Sequence, residues 1–432
     1  MTLFINSSDI DFEKNFQALL ETKRDTAIDV TETVKEIIGE VKSNGDQALE
    51  KYSLEFDKLD LRETGIAIKE QEFTAAFEKV GTATIEALTL ARDRICSHHL
   101  KQKPENQRYT DHLGIELGYR WTPVSAAGLY VPGGTAAYPS SVLMNAIPAT
   151  VAGVGRIVMV VPTPHGTINP AVLVAAKLLD INEIYRVGGA HAIAALAYGT
   201  KTIKAVDKIV GPGNAYVAEA KRQVFGTVGI DMIAGPSEVL IIADRNNDPE
   251  WIAADLLAQA EHDPVAQSIL ITDDKDFADR VKDAVTSQLV SLPRADIAEK
   301  SWENFGAIIC VENIHEAAPL ANQIAAEHLE IAVEHSELMF DQIHHAGAVF
   351  IGNKTPEAIG DYIGGSNHVL PTSRSARFAS GLSVLDFMKK TTILKCTDEG
   401  LATLGPAAIT LAKAEQLEGH ARSVGLRLGL KI

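Results

Sequence analysis

Cysteine is scarce in this chain, with Cys96, Cys310 and Cys396 as the only three among 432 residues. Three thiols so far apart cannot form a disulfide framework or a CxxC metal site. We expect all three to be small buried side chains, and the low cysteine content suits a protein of the reducing cytoplasm. No apolar run approaches the ~18–20 residues that a membrane-spanning helix needs. The first residues lack the basic and long apolar segments of a secretory signal and lead directly into acidic ones.

Positive charge is also in short supply. The chain has 57 Asp and Glu against 40 Lys and Arg, which gives a formal net charge of −17. Because an acidic surface repels phosphate backbones and anionic lipids, we expect neither nucleic acid nor a membrane among the partners. The length exceeds that of a usual single core and predicts two large domains with smaller appendages.

Residues 1 to about 110 carry a helical pattern, whereas short β-branched runs alternate with glycine-rich loops and alanine-rich segments after Trp121. Strands that are apolar on both faces and alternate with helices are typical of a parallel sheet covered on both sides. The sequence therefore predicts an α/β fold of two Rossmann-like domains, with small N- and C-terminal helical segments. The predicted strands form two sets on either side of Pro236, namely 157–161, 183–187 and 208–210, then 239–242, 268–271, 307–310 and 348–351.

The predicted domain organisation has four parts. Residues 1–28 form an N-terminal helical arm, and residues 29–125 with 238–380 form a first α/β domain. Residues 126–237 form a second α/β domain, and residues 381–432 form a C-terminal tail. From Glu399 to Lys431 the tail is dominated by Ala, Leu and Glu, so it is expected to be helical and to pack on its own chain or on a partner.

Glycines follow several predicted strands, at 133–134, 188–189, 211–213 and 235. Ligands of doubly wound sheets lie beyond the carboxyl ends of the strands, where glycine lets the backbone approach them. The dinucleotide fingerprint is nevertheless not met, because Tyr216 replaces the third glycine after Gly211 and Gly213. Asp231 stands about 20 residues on, at the distance of a ribose-binding acid. Plain strand-to-helix turns would explain these glycines equally well.

A helix predicted from Asp248 ends before Pro264 and carries polar groups at the end of its apolar stripe. Gln259 continues the stripe of Leu256, and His262 follows three residues later on the same face. An amide oxygen and a neutral imidazole suit a borderline cation such as zinc. A hydrogen-bonded core or capping pair would have the same spacing.

Three more polar groups lie in the second half of the chain. Glu327 and His328 stand between a helical stretch and a strand-like run, where they could supply two proton acceptors of different basicity. Residues 361–368 read as a glycine-rich loop that contains Asp361. Glu415 and His420 lie five residues apart on a presumed helix. Each group alone fits an ordinary turn or surface pair, but together they supply ligands for a metal and a Glu–His pair for proton transfer.

Over nearly its whole length the chain resembles histidinol dehydrogenase. The resemblance rests on motifs that occur in one order, namely Gly128–Gly134 with Tyr138–Ser141, Ile209–Asn214, Ala234–Glu238, Gln259–Pro264, Ala326–Leu329, Gly365–Thr372, and Glu415 with His420.

The resemblance implies one zinc ion per active site, held by Gln259, His262, Asp361 and His420. It also implies a homodimer in which Glu415 and His420 come from the partner subunit, so that the C-terminal tail contributes to the partner's active site. The zinc and the catalytic groups then belong to the first α/β domain. The implied contacts with the substrate L-histidinol are Ser237, Gln259, His262, His328, Asp361, Glu415 and His420.

The NAD contacts implied by the resemblance are Tyr130, His191 and Asn214. One of them departs from the family, which usually has glutamine where this chain has His191. Imidazole can still make one hydrogen bond, but it is bulkier near the backbone and can become charged.

The implied reaction is a four-electron oxidation of L-histidinol through L-histidinal to L-histidine, with two NAD and water, which completes histidine biosynthesis. His328 would accept protons and Glu327 would activate water. None of the three cysteines lies in a motif, which favours water over a thiol as the nucleophile. A zinc hydrolase and a catalytically silent binding module are the alternatives. NADH production would distinguish a dehydrogenase from a zinc hydrolase. Loss of a metal ligand or of the Glu–His pair would favour the binding module.

Overall fold

The structure is a computed structural model that describes residues 2–22, 29–133, 138–233 and 235–430. Gly134 and Ala234 of the motifs above, and residues 23–28 of the predicted N-terminal arm, lie outside the described residues.

The strands of the described residues run from the first residues to the start of the C-terminal tail. They are β1 (Leu3–Asn6), β2 (Gln107–Thr110), β3 (Glu116–Pro123), β4 (Ala126–Tyr130), β5 (Arg156–Val160), β6 (Glu183–Tyr185), β7 (Lys208–Val210), β8 (Gly229–Ile230), β9 (Glu238–Ala243), β10 (Gln267–Thr272), β11 (Ala307–Cys310), β12 (His328–Ala332), β13 (Ala348–Ile351) and β14 (Met388–Lys395).

The helices lie before, between and after these strands. They are α1 (Phe12–Glu21), α2 (Thr31–Asn44), α3 (Asp46–Tyr52), α4 (Leu61–Thr64), α5 (Glu70–Lys79), α6 (Thr82–Leu100), α7 (Pro139–Ala152), α8 (Pro170–Lys177), α9 (Gly189–Tyr198), α10 (Ala215–Val224), α11 (Pro249–Ala260), α12 (Lys275–Leu289), α13 (Ala295–Phe305), α14 (Ala317–Ile324), α15 (Ser336–Phe340), α16 (Glu357–Tyr362), α17 (Asp398–Ala414) and α18 (Glu418–Arg427).

Two parallel sheets form the two halves of the α/β fold, as predicted. The five-stranded sheet has the order β6-β5-β4-β7-β8, and the six-stranded sheet has the order β1-β11-β10-β9-β12-β13. In the five-stranded sheet the chain forms β4, β5 and β6 in order toward one edge and then returns to place β7 on the other side of β4. In the six-stranded sheet it forms β9, β10 and β11 toward one edge and then places β12 on the other side of β9. The crossing points lie between β4 and β7 and between β9 and β12, and such switch points leave a crevice for a ligand.

Apolar side chains cover both faces of each parallel sheet, which explains why its strands read as continuous apolar runs. Helices α2, α3, α9 and α10 cover one face of the five-stranded sheet, and α5 to α8 cover the other. Helices α1 and α14 cover one face of the six-stranded sheet, and α11 to α13 cover the other. Residues 31–100 thus pack on the five-stranded sheet, in contrast to their predicted grouping with residues 238–380.

The two chain ends are helical as predicted, and each also carries a strand that the sequence pattern did not indicate. At the N-terminus β1 pairs in parallel with β11, so the predicted helical arm also contains an edge strand of the six-stranded sheet. Near the C-terminus β14 pairs with β3 in a three-stranded antiparallel sheet, and helices α17 and α18 follow. The strands of this small sheet are half-buried or exposed and have no apolar run, which is why the sequence pattern did not indicate them.

Candidate active site

Helix α11 brings Gln259 into the interior. Asp248 caps it, because its side chain accepts a hydrogen bond from the Glu250 N–H at 3.0 Å, and the helix ends at Ala260, as predicted. Gln259 lies in the last turn with a fully buried side chain (0% exposed). His262 follows in the turn after the helix, where its N–H donates to the Gln259 carbonyl at 3.2 Å, and its ring is half-buried.

Glu327 and His328 lie at the amino end of β12, beside the first residues of β9. His328 is the first residue of β12 and is in register with Val239 of β9. Both side chains are buried, at 5% and 4% exposure. Glu327 is therefore not an exposed surface residue, as it would be if the two formed an ordinary surface pair. The pair lies at the amino edge of the six-stranded sheet rather than at its carboxyl edge.

The His328 ring has four polar neighbours. Nδ1 lies 3.1 Å from the Glu238 carbonyl oxygen, 3.5 Å from a Glu357 carboxylate oxygen and 3.8 Å from one of Glu327. A proton on Nδ1 donated to that carbonyl leaves Nε2 as the basic nitrogen. Nε2 lies 3.5 Å from Asp361 Oδ1.

Asp361 lies in helix α16 and not in the glycine-rich loop that the sequence predicts. Glu357 stands four residues earlier in the same helix, so the two carboxylates face the same side, toward His328. Gly360 lets the helix approach β13, because a Cβ there would lie 2.4 Å from the Phe350 ring. Sequence reasoning missed Glu357, for which the four-residue spacing of the two carboxylates was the available signal.

The charges in this cluster shift one another's pKa values. Burial raises the pKa of Glu327 to about 7, although the nearby His328 charge opposes the shift. Burial likewise raises the pKa of Glu357 to about 8. Burial disfavours the charged form of His328, but the carboxylates of Glu357, Glu327 and Asp361 outweigh it and raise the pKa of the ring well above its usual value. Glu327 and His328 are therefore two adjacent proton-exchanging groups of different basicity.

Several buried atoms near the cluster have no hydrogen-bond partner among the described residues. They are both side-chain atoms of the Gln259 amide, Oδ1 of Asp361 and Nε2 of His328. Helices α11 and α16, which carry Gln259 and Asp361, contact each other. Unsatisfied buried polar atoms are costly and rare, and the amide oxygen, the carboxylate oxygen and the imidazole nitrogen among them can bind a cation. Ligand atoms of His328, Glu357 and Asp361 also lie within 4.8 Å of one another, a group that shares only Asp361 with the zinc ligands predicted from the sequence.

His262 borders a cavity of about 340 Å³ that separates it from helices α6 and α7. Leu143, Tyr138 and Tyr362 line the same cavity, which is mostly apolar. Burial lowers the pKa of the His262 ring, partly opposed by the Asp361 charge, so the ring is neutral at neutral pH. Neutral imidazole is the form that binds a metal.

The loop after α16 connects the cluster around His328 to helix α7, which packs on the five-stranded sheet. His368 Nδ1 lies 3.0 Å from the Asp361 carbonyl oxygen, and its Nε2 lies 3.3 Å from Ser141 Oγ in the first turn of α7. Asn367 donates to the Met144 carbonyl at 2.7 Å. Because α7 follows β4, these bonds hold Asp361 in a fixed relation to the carboxyl end of β4.

Two of the predicted cofactor contacts lie at the switch point of the five-stranded sheet. Tyr130 is the last residue of β4, and its hydroxyl oxygen accepts a hydrogen bond from the Gly189 N–H at 3.1 Å. Asn214 follows the neighbouring strand β7 and caps α10, accepting from the Val217 N–H at 3.2 Å. Dinucleotides bind at such a position in doubly wound sheets.

His191 lies in the first turn of α9 and is buried, with the rings of Tyr52 and Phe56 at 5.7 and 6.2 Å. Neither ring nitrogen has a hydrogen-bond partner among the described residues. Burial lowers the pKa of His191 to about 3, so the ring is uncharged at neutral pH. The substitution for the usual glutamine therefore adds no charge to this side of the fold.

Asp231 does not stand where a ribose-binding acid would. Its side chain is buried (1% exposed), pairs with Lys221 and accepts a hydrogen bond from the Gly211 N–H at 2.8 Å. The sequence spacing that suggested a ribose contact is thus explained by an internal ion pair.

The remaining predicted substrate contacts are Ser237, Glu415 and His420. Ser237 is half-buried immediately before β9, and its carbonyl accepts from the Gln267 N–H at 3.0 Å. Glu415 and His420 do not share one helix, because α17 ends at Ala414 and Gln416 adopts a left-handed backbone with φ of 60°. Both are exposed, and no hydrogen bond or ion pair of the described residues joins them to the cluster.

No helix among the described residues is both long enough and apolar enough to cross a membrane.

Comparison with known proteins gives one consistent result. A family model described as histidinol dehydrogenase matches residues 20–428. The histidinol dehydrogenase of Brucella suis is 63% identical over 430 residues and covers 100% of both chains, and that of Mesorhizobium japonicum is 62% identical over the same coverage. The crystal structure of histidinol dehydrogenase from Elizabethkingia anophelis has a TM-score of 0.95 and 38% identity, covering 99% of this chain and 98% of that one.

Proposed function

The chain belongs to the histidinol dehydrogenase family, and we propose that it oxidises L-histidinol through L-histidinal to L-histidine in a zinc-dependent reaction with two NAD, completing histidine biosynthesis. The observation that carries this proposal is the buried cluster around His328. It combines two proton acceptors with amide, carboxylate and imidazole atoms that lack partners among the described residues. A cluster with these properties serves both metal binding and proton transfer.

Gln259, His262 and Asp361 would hold the zinc, together with His420 of the partner subunit. The fit rests on the unpartnered Gln259 amide and Asp361 Oδ1, and on the neutral ring of His262. When bound, zinc supplies a Lewis acid that holds the imidazole and amine of the substrate and so fixes the reacting carbon.

His328 would take the hydroxyl proton of L-histidinol on Nε2 as the carbon–hydrogen bond breaks and the carbonyl forms. Its Nδ1–H donates to the Glu238 carbonyl at 3.1 Å, which fixes the ring and leaves Nε2 toward the substrate. The neighbouring carboxylates stabilise the protonated ring. When bound, NAD accepts the hydride from the reacting carbon.

Glu327 would act in the second half of the reaction. One carboxylate oxygen accepts a hydrogen bond from the Glu238 N–H at 3.0 Å, which leaves the other to take a proton from water as it adds to the aldehyde. A pKa of about 7 makes this carboxylate a base near neutral pH. His328, once it has released its first proton to solvent, then takes a hydroxyl proton of the hydrated aldehyde as the second hydride leaves.

Tyr130, His191 and Asn214 would contact NAD beyond the carboxyl ends of the strands of the five-stranded sheet. Ser237, Gln259, His262, His328 and Asp361 would contact L-histidinol. Glu415 and His420 of the partner subunit would complete the site, so the active form is a homodimer. The scarcity of cysteine supports a cytoplasmic location.

The test is NADH formation at 340 nm from purified protein with L-histidinol and NAD, before and after chelation. About two NADH per histidinol, lost on chelation and restored by zinc, is the expected result. If metal-loaded protein makes no NADH, the proposal is wrong and a zinc hydrolase or a silent binding module takes its place.

The role of Glu327 has its own test. Glu327→Gln should still form the aldehyde but slow the second oxidation by about 10²-fold or more, because the base for water is missing. Rapid-quench analysis should show histidinal accumulating with about one NADH per histidinol. Glu334→Gln, at an exposed position just beyond β12, is the control and should behave like the parent. Conversion to histidine at an undiminished rate by Glu327→Gln would show that another group activates the water.

A further inference from the structure

A buried ion pair lies behind the loop that carries Asn214. Lys221 on α10 and Asp231 after β8 form an ion pair with side chains 3% and 1% exposed. Neither residue belongs to a motif of the proposed reaction, and the pair lies in the five-stranded sheet, away from the catalytic cluster.

Both members of the pair bind the same residue of the loop. Asp231 Oδ2 accepts the Gly211 N–H at 2.8 Å, and Lys221 Nζ donates to the Gly211 carbonyl oxygen at 3.0 Å. Two oppositely charged groups thus hold Gly211, the first residue after β7, through both of its backbone polar groups. Charge-assisted hydrogen bonds of this kind are the strong ones.

The held residue sits against Tyr130. A Cβ on Gly211 would lie 2.1 Å from the Tyr130 carbonyl oxygen, so the two backbones are in close contact at the switch point between β4 and β7. Asn214 follows three residues later and starts α10, the helix from which Lys221 extends. The ion pair therefore closes a ring that runs from Gly211 through Asn214 and α10 back to Gly211.

Stability alone does not account for this pair. Removing two charges from water costs about as much as their attraction returns, and well-packed apolar replacements of buried pairs are often neutral or stabilising. What the charges add here is a fixed position for one loop residue. Such fixing is valuable where a ligand must meet groups on two adjacent strands.

We infer that Lys221 and Asp231 are positioning residues for NAD, which hold the Gly211–Asn214 loop at the spacing from Tyr130 that the dinucleotide requires. The inference rests on the proposed NAD-linked function and adds to it two residues that touch neither substrate nor cofactor.

The test replaces both charges at once, because removing one would leave the other buried without a partner. The double variant Lys221→Met/Asp231→Ala binds neither polar group of Gly211, keeps the volume of the lysine side chain and adds no side chain larger than the one it replaces. The KM for NAD should rise about tenfold or more, while kcat at saturating NAD and the KM for histidinol stay within about twofold. Calorimetric titration of NAD without histidinol should show the same loss of affinity.

The matched control is the ion pair of Arg156 and Glu183 at the opposite, amino end of the same sheet. It also holds backbone carbonyls, those of Lys204 and Ala205, at 3.0 and 2.9 Å. Arg156→Met/Glu183→Leu should leave the KM for NAD unchanged, although it removes a comparable set of bonds.

If the first double variant does not fold, Lys221→Arg serves in its place. It keeps the charge, but a planar guanidinium cannot occupy the position of the ammonium between one carboxylate and one carbonyl without moving the loop. It should raise the KM for NAD severalfold with kcat retained.

The outcomes separate this inference from the proposed function. If the parent enzyme oxidises histidinol and folded variants at Lys221 and Asp231 keep the parental KM for NAD, the pair is only structural and the inference is wrong. Equal effects in the control pair would also overturn it. If the parent neither oxidises histidinol nor binds NAD, the proposed function fails first and this inference with it.

Discussion

Gln259 shows at the scale of one residue how function and stability oppose each other. Its amide is fully buried and has no hydrogen-bond partner among the described residues. An unsatisfied buried amide costs about 1–3 kcal/mol of stability. A folded chain keeps such a group where a ligand satisfies it.

We predict that Gln259→Leu stabilises the metal-free protein by about 1–2 kcal/mol and abolishes zinc binding. Urea unfolding in the presence of a chelator measures the first effect, and metal analysis of protein refolded with zinc measures the second. Asn247→Leu is the control, because the Asn247 amide donates to the Ala332 carbonyl at 2.6 Å. It should destabilise the protein and leave zinc binding intact. A less stable Gln259→Leu would mean that the amide is satisfied within the chain.

Burial of His191 makes stability depend on pH. Its pKa is lowered to about 3 in the folded state, against about 6.5 for an unfolded histidine. Between these values the unfolded chain binds the proton and the folded chain does not, so stability is lost as the pH falls below about 6.5. At pH 5 the loss is about 2 kcal/mol.

We predict that His191→Gln removes this part of the acid sensitivity. The decrease in unfolding free energy from pH 7.5 to pH 5 should be about 2 kcal/mol smaller than in the parent, as measured by urea unfolding. Using the difference between two pH values cancels the packing change that the substitution itself causes. His112→Gln, at an exposed position, should leave the difference unaltered. An unchanged pH dependence in His191→Gln would show that the ring is protonated in the folded protein.

Single residues also set the limit of what the sequence reveals about the site. Gln259 and Glu327 lie in motifs of the resemblance, Asp361 lies four residues before one, and the structure places all three in the interior or at its edge. Glu357 lies in no motif and became visible only when α16 placed it 3.5 Å from His328. Long-range proximity of this kind depends on how β12, β13 and α16 pack, which no local pattern encodes.

Among the elements, the strands of the parallel sheets were the easiest to predict. The structure has Lys208–Val210, Ala307–Cys310 and Ala348–Ile351 at the predicted bounds, because burial on both faces makes such strands continuously apolar. Strands β2, β3 and β14 were missed, since they are mostly exposed or half-buried. The break between α17 and α18 was missed as well, because the residue that adopts the left-handed backbone, Gln416, is not a glycine.

We predict opposite outcomes for two glycines that both adopt positive φ angles. Gly153 has φ of 89°, and a Cβ added there would have only Pro123 nearby, at 4.0 Å, so Gly153→Ala should cost about 1–2 kcal/mol. Gly211 has φ of 114°, and a Cβ added there would lie 2.1 Å from the Tyr130 carbonyl oxygen, so Gly211→Ala must push β4 and β7 apart. Gly211→Ala should lose several times more stability, measured by urea unfolding, and should bind NAD weakly. Equal losses in the two variants would contradict the close approach at Gly211.

For the whole molecule, the C-terminal helices pose the main question. Most residues of α17 and α18 are exposed, with only Gly400, Gly405, Ala421 and Gly425 buried. Glu415 and His420 are exposed as well. A helical pair with so little buried surface needs a partner, and the proposed homodimer supplies one.

We predict that two variants that each fail to convert histidinol to histidine regain histidine formation when mixed. Glu327→Gln changes the part of the site that lies in the six-stranded sheet, here called the body. His420→Asn changes the part that the C-terminal tail of the partner subunit contributes. In a mixed dimer the body of the His420→Asn subunit meets the intact tail of its partner. Random exchange after unfolding and refolding makes about half of the dimers mixed, each with one complete site, so activity should reach about a quarter of the parent. No recovery in dimers shown to have mixed would mean that each chain builds its site alone.

The pairing of β1 with β11 has a consequence for synthesis. Leu3 lies in register with Ala307, so the first strand of the chain has no partner until about 300 more residues have been made. At about 5–20 residues per second, the wait on the ribosome is roughly 15 s to one minute. The five-stranded sheet uses only residues 126–230 and is complete long before. The nascent chain should therefore form its five-stranded sheet first, and the six-stranded sheet should be complete only when β11 has emerged to pair with β1 and β12 and β13 have followed it.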